Sequence, residues 1–105
     1  MTDVIYNKLV RDKIPDIIKR QGETPYVRIL SGEEYTQALE QKLDEETGEF
    51  HKEKNLEELA DILEVVYALA EDLGYSKADL LRCYEQKHEK RGGFRERIYL
   101  ISKEG

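Results

Sequence analysis

Asn55–Gly74 reads NLEELADILEVVYALAEDLG, and the packing of this stretch decides the fold. Asn55 followed three residues later by Glu58 has the logic of a capping box, and Gly74 is a stop signal, so a helix should start near Leu56 and end near Leu73. At about 100° per residue its apolar positions cover more than half of the helix circumference, wider than one neighbouring helix can bury. Such a helix needs cover on both sides.

The rest of the chain supplies few covers. Pro15 suits the first turn of a short helix running through Ile17, Ile18 and Arg20 to a stop at Gly22. Ser31 with Glu34 forms a second capping-box pattern, so another helix begins near Gly32 and carries Ser31–Glu53. Ser76 with Asp79 opens a last helix, which Gly92-Gly93 terminates. Thr24–Leu30 (TPYVRIL) is β-branched and aromatic, and Phe94–Ser102 (FRERIYLIS) alternates with Ile98 and Leu100 facing one way, so the two read as a small ribbon. The expectation is one domain over residues 1–105: an all-α helical bundle of four helices, one short, with a minor two-stranded β ribbon. The wide apolar arc predicts that the chain dimerises through its central helix, as a homodimer or larger assembly such as a homotetramer, the alternative being a monomer with an exposed apolar patch.

Composition narrows the function classes. The chain has 105 residues, a net charge of −6 and one cysteine, Cys83, which gives neither an internal disulfide nor a zinc pattern. No apolar run approaches the roughly 20 residues of a membrane span, and the N-terminal MTDVIYNKLVRDKIP lacks the apolar segment of a secretory signal. The expectation is therefore a cytoplasmic protein without a membrane partner. Between Glu40 and Glu64 ten acids face three bases, a local −7 that leaves the remainder of the chain at +1. A nucleic-acid polymer is not the expected partner, because its binders present a basic face.

The acids are placed as well as numerous. With Leu39 as reference on a helical wheel, Tyr35, Leu43 and Phe50 fall within about 40° and define a buried stripe. Glu46 lies in the middle of that stripe and Glu49 one turn on, at its border. On the next helix Glu58 and Asp61 have the same i, i+3 spacing, at the margin of the apolar arc. An antiparallel hairpin would bring these four carboxylates to one end. Like charges a few Å apart raise one another's pKa, and burying an unpaired carboxylate costs several kcal/mol, so a cation is required. A hard divalent ion such as Mg²⁺ takes oxygen ligands and keeps positions for water and phosphate. Solvated acidic helices are the alternative, and Glu58 also serves the cap.

Bases gather at both ends of the chain. On the last helix Leu80 and Tyr84 define a face that Lys87 and Arg91 continue, just before Gly92 and Gly93; a point charge and a fork there suit a polyphosphate, though they also suit the helix C-terminus. Near the N-terminus Asn7, Lys8 and Arg11 form a polar cluster among the apolar anchors Leu9, Val10 and Ile14.

Four segments in order resemble a known family. KLDEETGE (residues 42–49) carries an E-x-x-E element, Glu46 and Glu49, and EELADILEVVYAL (57–69) an E-x-x-D element, Glu58 and Asp61. With NKLVRDKIP (7–15) and KHEKRGGF (87–94), the chain resembles the all-α nucleoside triphosphate pyrophosphohydrolase superfamily, the group of MazG and phosphoribosyl-ATP pyrophosphohydrolase, and within it a branch of house-cleaning pyrophosphatases. The resemblance implies Mg²⁺-dependent hydrolysis of a standard or non-canonical nucleoside triphosphate to monophosphate and pyrophosphate, with Mn²⁺ as a substitute ion. It implies that Glu46, Glu49, Glu58 and Asp61 hold the metal, that Glu45 binds a second ion or orients the attacking water, and that Glu45, Glu46 and Glu49 are the catalytic carboxylates. Lys87 and Arg91 would clamp the phosphates, and Asn7, Lys8 and Arg11 would reach the nucleotide. Two features depart from the family pattern: only eight residues separate Glu49 from Glu58, and Gly48 lies between the acids of the first pair, costing about 1 kcal/mol of helix stability relative to Ala. Phosphoribosyl-ATP hydrolysis uses the same acids. A non-catalytic helical dimer that senses nucleotide or binds a protein is the alternative from another class.

Overall fold

A computed structural model describes residues 3–105 and shows four α-helices: α1 (Ile14–Arg20), α2 (Gly32–Glu53), α3 (Leu56–Asp72) and α4 (Lys77–Arg91). Three of the expected terminal signals operate as read. Asn55 Oδ1 accepts the Glu58 amide at 3.0 Å, and Ser76 and Asp79 exchange both bonds of a capping box at 2.9 and 3.1 Å. Gly74, at φ +94°, closes α3 with the paired bonds Tyr75 N–H to Ala70 O and Gly74 N–H to Glu71 O, both 2.9 Å, which satisfy carbonyls the helix leaves open.

The Ser31 capping box does not form. Ser31 sits at the N-cap of α2 in extended backbone, yet its hydroxyl makes no cap bond. Glu34 is held instead by the fork of Arg28, whose Nη1 and Nη2 each donate at 2.8 Å. A bidentate pair of charge-assisted bonds outcompetes the single bond that the same carboxylate would accept from the Ser31 amide.

Helices α2 and α3 form an antiparallel hairpin across the two residues Lys54 and Asn55, with Lys54 in the left-handed region at φ +50°. Thr36 Oγ1 donates to Asp72 at 2.6 Å at one end of the pair, and Glu46 meets Glu58 and Asp61 at the other. Leu39, Val65 and Ala70 are the buried apolar side chains of this seam. Helix α4 packs on α3 only, at their shared corner, where Lys77 Nζ lies 4.4 Å from the centre of the Tyr67 ring.

Among the described residues there is no strand, so the expected ribbon is absent from the single chain. Thr24–Leu30 has no regular secondary structure and makes no backbone ladder among the described residues. The second segment is interrupted at its start, where Arg97 N–H donates to Phe94 O at 3.1 Å with Arg97 at φ +58°, a turn that breaks the strand alternation. A two-stranded ribbon also needs a helical face to lie on, and the side chains of residues 94–105 have found none. The Cα radius of gyration is 18.4 Å, against about 13 Å for a compact chain of this length.

Candidate metal centre

The short hairpin turn brings the acids together. The cap at Asn55 fixes the first turn of α3, and the reciprocal bond from the Glu58 side chain is not made, so its carboxylate is free to face α2. One carboxylate oxygen each from Glu46, Glu58 and Asp61 lie within 4.8 Å of one another, and all three residues are half-buried. That is the span of ligands on one hard cation, about twice a metal–oxygen distance of roughly 2.0–2.6 Å. Glu49 stands outside this close trio, although its charge is felt by Glu58. Glu46 sits where the wheel placed it, with its side chain only 12% exposed.

The electrostatics follow from this crowding. Loss of solvation raises the Glu58 carboxyl above the ordinary carboxylate value, and repulsion from Asp61, Glu46, Glu49 and Glu53 adds to it. Glu45 goes the other way. Lys42 at 2.8 Å and Lys8 at 2.9 Å donate to its two oxygens and hold its carboxyl below the usual range, and the same contact raises the Lys8 ammonium. Glu45 is thus committed to two lysines, which sets it apart from the trio.

Lys42 is the functional neighbour that sequence reasoning passed over. It also reaches Glu46 at 3.4 Å and is 16% exposed. Its signal was present as i, i+3 and i, i+4 spacing to Glu45 and Glu46, the distance at which oppositely charged helical residues meet.

The two basic ends are placed differently. Lys8 contacts Glu45, and Arg11 Nη2 lies 3.4 Å from Asp61 Oδ1, so the N-terminal segment lies across the acidic end of the hairpin. Asn7, exposed and at φ +45°, turns the chain there, in a backbone region that Asn tolerates better than most residues. Lys87 and Arg91 are exposed on α4, which does not pack on α2, and neither pairs with an acid among the described residues. The structure therefore brings together Glu45, Glu46, Glu58, Asp61, Lys8 and Arg11, and does not bring Lys87 and Arg91 to them within one chain. Five carboxylates, Glu49 included, meet three cations, Lys8, Arg11 and Lys42, which leaves the group two charges negative. A cleft of about 470 Å³, lined by Arg11, Asp12, Lys13, Ile14, Ile17 and Glu64, opens on the Arg11 side.

Over 42 residues the chain is 55% identical to an uncharacterized protein of Mycolicibacterium smegmatis (strain ATCC 700084 / mc(2)155), a match that spans 40% of this chain and 43% of that protein's length. No family profile and no solved structure matches the chain. Among the described residues, no helix is long and apolar enough to cross a membrane.

Proposed function

We propose that the chain is a Mg²⁺-dependent nucleotide pyrophosphohydrolase that cleaves a nucleoside triphosphate between its α and β phosphates, in the cytoplasm, as a homodimer or homotetramer with α3 at the interface. The observation that carries this reading is the convergence of Glu46, Glu58 and Asp61 at one half-buried point, in a wider group that, with Glu45 and Glu49 counted against Lys8, Arg11 and Lys42, is two charges negative. The donor set is all oxygen, which suits Mg²⁺ or Mn²⁺ and not a soft metal.

Glu46, Glu58 and Asp61 would hold the ion. Its chemistry, when bound, is to lower the pKa of water and to offset charge on the transferring phosphoryl group. Glu49, one turn past Glu46 and without an ion pair among the described residues, accepts the proton of the attacking water. The water oxygen bonds to the α phosphorus, the bond from that phosphorus to the α–β bridging oxygen breaks, and pyrophosphate leaves. Lys8 and Arg11 exchange carboxylate partners for phosphate oxygens, and Glu45 keeps Lys8 at the edge of the site until they do. The cleft beside Arg11 is of ligand size and takes the nucleoside.

A pyrophosphate-release assay tests this over standard and damaged triphosphates and phosphoribosyl-ATP, with Mg²⁺ and with chelator. Turnover that needs Mg²⁺ and falls at least 100-fold in Asp61→Asn is expected. No Mg²⁺-dependent turnover on any of these, or an Asp61→Asn chain as active as the parent, would overturn the assignment; binding without turnover would point to a nucleotide sensor.

A further inference from the structure

The described chain leaves several apolar stretches exposed, among them Val4–Tyr6, the side chains of Tyr26, Val27 and Ile29, a stripe on α3 and the C-terminal tail. Leu56, Leu59 and Leu63, at i, i+3 and i+7, form a stripe on the α3 face turned away from α2, and are 46–80% exposed. Phe94, Ile98, Tyr99, Leu100 and Ile101 of the C-terminal tail are 77–97% exposed, so none of the described residues covers them. The tail follows α4, which touches α3 only at the corner far from Leu56.

We infer that the C-terminal tail of a second copy, residues 94–103, docks on the Leu56–Leu59–Leu63 stripe of α3, reciprocally in a two-fold dimer. This rests on the homodimer reading above, and specifies which part of the partner covers α3. Charge decides between the candidates. Helix α3 carries six acids and no base, so a seam of α3 on its own copy would set acid against acid. The tail from Phe94 to Lys103 carries Arg95, Arg97 and Lys103 against the single Glu96, a net +2 that complements Glu57 and Glu64 at the stripe's edges. The arrangement is isologous and closes without generating a filament.

The test uses full-length chains in a Cys83→Ser background. Leu59→Cys chains and Ile98→Cys chains are co-expressed, mildly oxidised and resolved without reductant, and the linked peptides are identified by mass spectrometry. A dimer joined through positions 59 and 98 is expected, with little product from either variant alone. Linkage of position 59 to position 59 would overturn the tail docking while leaving a dimer on α3, and a monomeric parent at tens of µM in sedimentation would overturn both. In a second measurement, Ile98→Asp with Leu100→Asp should raise the dimer dissociation constant at least 100-fold with helical circular dichroism unchanged, because these side chains pack on nothing in their own chain. An unaltered dissociation constant would also refute the docking.

Discussion

Glu46→Gln separates a metal ligand from a structural acid, because its effects with and without the ion differ in kind. Without metal the substitution removes one attraction, to Lys42 at 3.4 Å, and the repulsion from Asp61 at up to 4.8 Å. With water-like screening these are about 1.2 and 0.9 kcal/mol, of opposite sign, and loss of the repulsion from Glu58 offsets the remainder. The metal-free variant should therefore lie within about 1 kcal/mol of the parent, a change of no more than about 8 °C in Tm. With Mg²⁺ at 100 times its dissociation constant the parent gains about 2.7 kcal/mol, or roughly 10 °C and upward in Tm. Glu46→Gln should lose most of that gain, whereas Glu40→Gln, which changes an exposed acid outside the group, should keep it. Differential scanning fluorimetry across a Mg²⁺ titration, repeated with EDTA, reads both quantities. An equal Mg²⁺-induced shift in Glu46→Gln and parent would refute the reasoning.

The Glu58 carboxyl should titrate above the ordinary carboxylate range by carbon NMR and move back down in Glu46→Gln, since Glu46 is one of the charges that raise it. Its sign for stability follows: a folded value above the unfolded one favours the folded state at pH below the unfolded value, and that contribution is lost as pH rises through the folded value. Mg²⁺ binding should accordingly strengthen as pH rises through the same window, which calorimetry at several pH values would show. Asn55→Ala removes the cap of α3 and should cost about 1 kcal/mol, or about 4–8 °C in Tm, while Asn55→Gly costs only a few tenths; thermal melts of both variants check this. Lys8→Met should leave stability within about 1 kcal/mol, because its pair with Glu45 is exposed and Lys42 remains on that carboxylate. In pyrophosphate-release kinetics it should instead raise KM for the triphosphate at least tenfold, and an unchanged KM would remove Lys8 from the phosphate site.

Much of the helical framework was legible before any coordinates. The starts of α2, α3 and α4 and the stops at Gly22, Gly74 and Gly92 are local, because capping bonds and positive φ involve residues only a few positions apart. The wheel also located Leu39 and Glu46 on the buried face of α2, since helical period alone assigns a face. The misses fall where one local contact replaces another: the Glu34 carboxylate pairs with Arg28 and not with the Ser31 amide, and the ribbon lost its alternation to the turn at Phe94–Arg97.

The sequence by itself determined which carboxylates share a face and how few residues join the two helices. Only the tertiary structure decided that Glu46, Glu58 and Asp61 form the close trio while Glu49 stands outside it, because the register across a hairpin depends on how Lys54 and Asn55 turn. It likewise decided that Lys8 and Arg11, and not Lys87 and Arg91, reach the acids within one chain. Two basic segments nearly eighty residues apart look equivalent along the sequence, and which of them meets a charge cluster is set by the path the chain takes through space.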